Sequence, residues 1–179
     1  NSNYYSKIIE SMYPTNMTPN IIEERQMNIA VFDVFSRLMM DRIIFLGTGV
    51  NDHVANIIQA QLLFLQSTDA SKDIQIYINS PGGSVYAGLG IYDTMQFIKC
   101  EVSTTVMGHA CSMGSLLASS GTPGKRYMLP RARHMIHQVS SGTRGTAIDM
   151  KIALEETLRL NKMLTEIYVQ NTGKSYEEL

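Results

Sequence analysis

The segment Gly108-His109-Ala110-Cys111-Ser112-Met113-Gly114-Ser115 sets a serine among small residues. It falls where a predicted strand, Val102 to Met107, gives way to a predicted helix, Ser112 to Ser120. A serine at such a turn stands at the positive end of a helix, with neighbouring backbone N–H groups free. That setting can activate a hydroxyl and offer donors to an oxyanion. Two further segments suit the same chemistry. Ser80-Pro81-Gly82-Gly83-Ser84 is a glycine-rich strand-to-helix turn upstream, and Met135-Ile136-His137-Gln138 brings a histidine downstream. Together they suggest a nucleophile, an oxyanion loop and a base. Ser112 is the candidate nucleophile, although serine also favours the N-cap of an ordinary helix. His137 is the candidate base. If Arg133 to Gln138 is a strand, His134 and His137 lie on opposite faces, which argues against a two-histidine metal clamp. His53 is expected in solvent at a helix start, and His109 is constrained by the turn. The N–H groups of Gly83 and Met113 are the candidate oxyanion donors. Cys111 is a rival nucleophile because a helix N-terminus can lower a thiol pKa; its other reading is a small buried neighbour of the serine. The third member of a triad should be a carboxylate. Asp149 is better explained as a helix cap, and no other acidic residue after His137 stands out, so this residue is expected beyond Leu179.

These residues need a frame that brings them together. Ile74 to Asn79 alternates, with its isoleucines on one face. In the predicted helix Asp52 to Gln66, residues Val54, Ile57, Ile58, Leu62 and Leu65 recur at helical spacing and should face a core. Further helices are expected near Phe32 to Met40 and Ser84 to Ile98, a strand at Arg42 to Leu46, and short strands at Lys125 to Leu129 and Arg133 to Gln138. Strand and helix alternate, which predicts an α/β fold with a largely parallel sheet. The loops after strands 74–79 and 102–107 then leave one edge of the sheet, where such folds bind ligands. Thr146 to Asp149 reads as a capping box opening a long helix, with Ile148, Ile152, Leu158, Leu164 and Ile167 on an apolar side and Gly173 as its stop. Ser175 to Glu178 resembles a second capping box. A helix opened there has too few residues to stand alone, so the domain is expected to continue past Leu179.

The chain has 179 residues, room for one well-buried core. Its 15 basic and 16 acidic residues leave a net charge of −1, which gives no reason to expect nucleic acid or an acidic membrane as partner. Charged residues make up 17% of the chain, against about 25% in average soluble domains. This deficit is consistent with surface hidden in an oligomer. Cys100 and Cys111 form no disulfide framework and no zinc spacing, and fit a reducing compartment. No apolar run is long enough to span a membrane, and the first residues lack a secretory signal core. Residues 1–27, with Pro14 and Pro19, read as a flexible arm ahead of a single domain at 28–179.

The motifs in this order resemble the Clp protease proteolytic subunit (ClpP) family. The likeness runs from about Ile21 to the end and is densest in Asp33 to Leu38, Ile43 to Gly47, Tyr77 to Gly83, Ile91 to Ile98, Ala110 to Gly114 and Met135 to Gln138. It implies a crotonase-like (ClpP-like) fold with repeated β-β-α units and a protruding handle helix, here the one opening at Thr146. It implies an ATP-dependent serine endopeptidase of unfolded proteins, working inside two stacked seven-membered rings fed by an AAA+ unfoldase in a bacterial cytoplasm or an organelle of bacterial origin. On this likeness the subunit takes no nucleotide and no metal, Ser112 and His137 match the nucleophile and base, and Gly83 and Met113 match the oxyanion donors. Residues from about Pro19 to Asn28 match axial loops, and Tyr77 and Phe97 fall at an apolar pocket for unfoldase loops. The residues expected to hold an extended substrate are Gly82, Ser84, Val85, Val139, Ser140 and Ser141. The chain departs from the family's usual small residue at Cys111 and amide at His109, and Asp149 does not match the triad aspartate. Two other readings remain at this point: a catalytically silent subunit of a mixed ring, and a crotonase-like enzyme acting on acyl-thioesters.

Overall fold

A computed structural model describes residues 20–24 and 29–179. Two units are distinguished, Asn1–Asp41 and Arg42–Leu179. In the first, β1 (Asn20–Glu24) pairs antiparallel with β2 (Ile29–Asp33), and α1 (Val34–Met40) follows directly. Asp33 ends the strand and caps the helix: its carboxylate accepts from the Ser36 N–H at 2.9 Å and the Ser36 hydroxyl at 2.6 Å. Two expectations change here. Part of the supposed irregular arm is a strand, because Ile21 and Ile22 find a partner in the alternating Ile29-Ala30-Val31-Phe32. Phe32 belongs to that partner strand, so the helix starts later than its apolar spacing suggests. The remainder of the arm, including Pro14 and Pro19, lies outside the described residues, as does half of the axial-loop match.

The second unit is built on a parallel sheet. Its strands are β3 (Ile43–Leu46), β4 (Ile74–Ser80), β5 (Val102–Cys111), β6 (Arg126–Met128) and β7 (Arg133–Met135), and its helices are α2 (Asp52–Thr68), α3 (Val85–Phe97), α4 (Met113–Ser119) and α5 (Ala147–Thr172). The strand order is β3-β4-β5-β6, with β7 beside the far end of β5. Every pairing in this sheet is parallel. The α/β class expected from the strand–helix alternation is therefore the observed one; a β-β-α succession occurs at β1-β2-α1 and at β6-β7-α5. On β4 the side chains of Ile74, Ile76, Ile78 and Ser80 are buried, while Gln75 and Asn79 on the other face are exposed. Buried as well are Ala55, Ile58, Leu62 and Leu65 of α2 and Ala87, Ile91 and Met95 of α3. Ile57 is exposed, contrary to expectation, since the buried stripe runs through Ala55, Ile58, Leu62 and Leu65 and Ile57 points about 100° away from Ile58.

Strand β5 runs four residues beyond its predicted end. Opposite it, β4 advances from Ile78 to Ser80 while β5 advances from Val106 to Ala110, so β5 carries a bulge. Gly108 sits in the bulge with φ 73°, and the His109 N–H donates to the Asn79 side chain at 3.3 Å. A glycine that reads as a turn is here an interruption after which the strand resumes. The resumed portion pairs with β7 and delivers Ser112 above the sheet edge.

Helix α5 opens on the Thr146–Asp149 capping box and stops at Gly173 in a left-handed conformation, as expected. Its C-terminal half is packed: Leu160, Ile167 and Tyr168 are buried. Ile167 and Tyr168 join Met113 and Leu116 in a cluster flanked by Val85, Leu89, Tyr92, Met163, Leu164 and Leu179. Its N-terminal half differs from the expectation of core-facing apolar residues. Ile148, Ile152 and Leu158 are largely exposed, because no element of this unit covers them. Ser175 and Glu178 form the second capping box, around a single 3₁₀ turn.

Candidate active site

Ser112 joins β5 to α4 with φ 54° and ψ −123°, and apart from Arg42 it is the only described non-glycine residue with positive φ. Such a conformation costs about 1–3 kcal/mol and persists only where the surroundings enforce it. Ser112 occupies the N-cap position, yet its side chain makes no capping hydrogen bond. The capping explanation of this serine therefore fails, and its hydroxyl is left free. Its backbone is held on both sides. The Ser112 N–H donates to the Met135 carbonyl at 3.0 Å, and the Ser112 carbonyl accepts from the Leu116 N–H at 3.0 Å.

The glycine loop meets this elbow. Gly82 has φ 87°, and a Cβ on it would lie 2.6 Å from the Cys111 carbonyl oxygen and 2.7 Å from the Ser112 Cβ. Gly83 forms a parallel bridge with Val50. In that bridge Val50 donates to the Gly82 carbonyl and accepts from the Ser84 N–H, both at 2.8 Å. The polar groups of Gly83 itself consequently point the other way. With φ 153° and a Cβ position occupied by the Val50 backbone, Gly83 admits no side chain. Met113 is the first residue of its helix, so its N–H has no partner one turn back.

A cleft of about 540 Å³ unites these parts. Gly83, Ser112 and Met113 line it together with His137, so the structure places both candidate donors, the candidate nucleophile and the candidate base around one space. Val85, Val139 and Ser140 of the expected substrate-binding set line the cleft as well. The other three do not: Gly82 packs under the elbow, the Ser84 hydroxyl caps α3 by accepting from the Ala87 N–H at 3.3 Å, and the Ser141 hydroxyl bonds the Thr157 hydroxyl at 2.8 Å. Tyr77 stacks on Phe45 with ring centroids 5.5 Å apart, and Phe97 is 76% exposed at the end of α3; neither touches this cleft.

His137 lies two residues past the end of β7, in irregular chain, rather than on a strand. The opposite-faces argument for His134 and His137 thus loses its basis, although the two rings do part. His137 Nδ1 sits 2.8 Å from the Gln138 carbonyl oxygen, and His134 Nδ1 is 3.3 Å from the Ser115 hydroxyl. A backbone carbonyl therefore takes the Nδ1 proton of His137, which leaves Nε2 as the acceptor nitrogen. Among the described residues no carboxylate bonds to His137, and Asp149 is engaged with Thr146, whose hydrogen bonds hold its carboxyl below the usual range. His53 is exposed. Cys111 is the last residue of β5, next to Ser112. No group of three or more His, Cys, Asp or Glu side chains among the described residues is placed to hold a metal ion.

Sequence reasoning missed one component. The Tyr168 hydroxyl reaches the Ser115 hydroxyl at 2.8 Å and the Ser112 carbonyl oxygen at 3.3 Å, from beneath the elbow. Burial pushes the Tyr168 phenol up to about 12, and burial likewise pushes His134 down. Tyr168 has only the helical spacing of α5 to mark it, and that reads as core.

An uncapped serine on a strained strand-to-helix turn, with a histidine and two candidate backbone donors around one cleft, is the arrangement that serine hydrolases use. A family model described as Clp protease matches residues 24–179. The chain belongs to the Clp protease family. It is 58% identical over 171 residues to an ATP-dependent Clp protease proteolytic subunit of Porphyromonas gingivalis, covering 96% of this chain and 76% of that protein. Proteins of the same name from Bacteroides fragilis and Bacteroides thetaiotaomicron are 56% and 55% identical over 163 residues, covering 91% of this chain and 79% and 74% of theirs.

Proposed function

We propose that this chain is the proteolytic subunit of an ATP-dependent Clp protease, a serine endopeptidase that cuts unfolded polypeptides delivered by a Clp ATPase. The observation that carries the reading is Ser112: a strained, uncapped serine set in one cleft with His137, Gly83 and Met113. Ser112 Oγ attacks the peptide carbonyl while His137 Nε2 takes its proton. The carbonyl oxygen becomes an oxyanion held by the Gly83 and Met113 N–H groups. The tetrahedral intermediate collapses as His137 returns the proton to the leaving amine, giving an ester on Ser112. Water, deprotonated by His137, then hydrolyses the ester.

An extended substrate adds as a strand along Gly83 to Val85 on one side and Val139 to Gly142 on the other. Such pairing reads backbone, so sequence preference is loose. The subunit itself uses neither nucleotide nor metal; ATP is spent by the partner. The family membership and the exposed apolar half of α5 support stacked rings of this chain in a bacterial cytoplasm, with Tyr77 and Phe97 receiving unfoldase loops. No helix among the described residues is long and apolar enough to cross a membrane.

The test is reaction of the assembled protein with a fluorophosphonate, followed by peptide mapping. Label is expected on Ser112 and absent from Ser112→Ala. Ser112→Ala and His137→Ala should each lose on the order of a million-fold in kcat. Label on Cys111 would move the nucleophile by one residue. An unlabelled, fully assembled protein would be a silent subunit.

A further inference from the structure

The side chains beneath the elbow form a chain that the mechanism above does not use: His134, Ser115, Tyr168 and the Ser112 carbonyl. Tyr168 is 6% exposed and Ser115 not at all, so each polar atom here must be satisfied within the protein. A phenol has one proton but two neighbours, at 2.8 Å and 3.3 Å. Two arrangements satisfy the members: the phenol donates to Ser115 Oγ, or it donates to the Ser112 carbonyl while the Ser115 hydroxyl turns its proton to Tyr168 Oη.

That carbonyl belongs to the same peptide unit as the Met113 N–H. In a trans peptide the two groups point in opposite directions within one plane, and no described peptide bond is cis. A donor gripping the Ser112 oxygen therefore fixes the direction of the Met113 N–H, which points away from that grip. We infer that Tyr168 is a positioning residue that aims the Met113 oxyanion donor by holding the carbonyl end of the Ser112–Met113 peptide. The inference rests on the reading of Ser112 as nucleophile and Met113 as donor.

The grip strengthens during the reaction. As the Met113 N–H donates to an oxyanion, the peptide polarises and its carbonyl becomes a better acceptor. The Tyr168 bond is thus worth more in the transition state than before it, which appears in kcat and not in KM. The Leu116 N–H also holds this carbonyl, at 3.0 Å. Loss of Tyr168 accordingly misaims the donor without removing it, and costs less than the hundredfold or more of deleting an oxyanion donor outright.

The deciding experiment is Tyr168→Phe, measured as kcat and KM on a short peptide and as the rate of fluorophosphonate labelling at Ser112, in protein shown to be assembled. The ring stays in its cluster, and with the His134 proton on Nε2 the Ser115 hydroxyl can donate to Nδ1, so no buried group is stranded. The expected result is a kcat lower by about tenfold, KM within about twofold, and labelling slowed by the same factor as kcat. Unchanged kcat and labelling would overturn the inference. So would a loss seen equally as raised KM, which would make Tyr168 a packing residue. Ser115→Ala leaves every aromatic contact in place and serves if Tyr168→Phe does not assemble. It should lower kcat about threefold at unchanged KM, and no effect would count against the chain. Ser112→Ala, run alongside, separates the two readings: if it retained turnover, the nucleophile assignment would fail whatever Tyr168→Phe did.

Discussion

Ser112 tolerates its positive φ because its N–H is tied to Met135, its carbonyl to Leu116, and Gly82 leaves room beside its Cβ. The next glycine can be tested alone. Gly83→Ala puts a methyl group where the Val50 backbone already stands, at a φ that disfavours a side chain. The Val50–Gly83 bridge must open, and the Gly83 N–H turns from the cleft. We expect a loss of at least a hundredfold in kcat, in line with loss of one oxyanion donor, together with destabilisation of about 1–3 kcal/mol. Peptide turnover and chemical denaturation measure the two separately. An alanine variant with wild-type turnover would remove Gly83 from the oxyanion pair. At this scale the sequence was most readable. Gly83, Ser112 and His137 each sit in a short local motif whose chemistry follows from residue type and neighbours. Ser84 and Ser141 carry no such mark, and their hydroxyls turn out to be spent on a cap and on Thr157.

Elements bring together what motifs cannot. Parallel pairing of β4 with β5 carries the glycine loop to the elbow, and the pairing of β7 with the end of β5 carries His137 there. The alternation of strand and helix made the sheet legible. The bulge at Gly108 was not, since a glycine inside a strand and a glycine in a turn look alike without the partner strand. Tyr168 was hidden for a related reason: its role depends on where α5 lands, against Met113 and Leu116 of α4. That packing has a signature in pH. An unfolded tyrosine loses its proton near pH 10, whereas buried Tyr168 keeps it to about 12. Between these values the unfolded state releases a proton that the folded state retains, so stability falls as pH rises through the window. The contribution is intact below about pH 10 and lost above about 12, and amounts to roughly 2–3 kcal/mol. Urea denaturation of wild type and Tyr168→Phe across this range should show the extra downward slope in wild type only. Parallel curves would mean that the phenol is less buried than the packing of α5 indicates.

For the molecule as a whole, what the sequence obscured was which apolar residues are core. Helical spacing marks Ile148, Ile152 and Leu158 as it marks Ile167, but only Ile167 meets another element. Ile148 is 72% exposed and Ile152 and Leu158 are each 60% exposed, with Met150 and Leu154 also open. An apolar strip of this extent on a charged-poor chain is a surface that another copy would cover. The facing ends of two rings are the occupants that the proposed assembly supplies. A charge there should be tolerated by the fold and not by the assembly, because the residue touches little of its own subunit. Ile152→Glu is therefore expected to keep its circular dichroism and its melting temperature as an isolated chain. In sedimentation velocity it should shift from the wild-type particle to one of half that mass or smaller. Peptide hydrolysis should fall with the particle if α5 also steadies the cleft through Leu164, Thr165 and Tyr168, which line it. A variant that sediments as wild type would show that the exposed half of α5 faces solvent in the working enzyme, and the stacking of rings would then need a different surface.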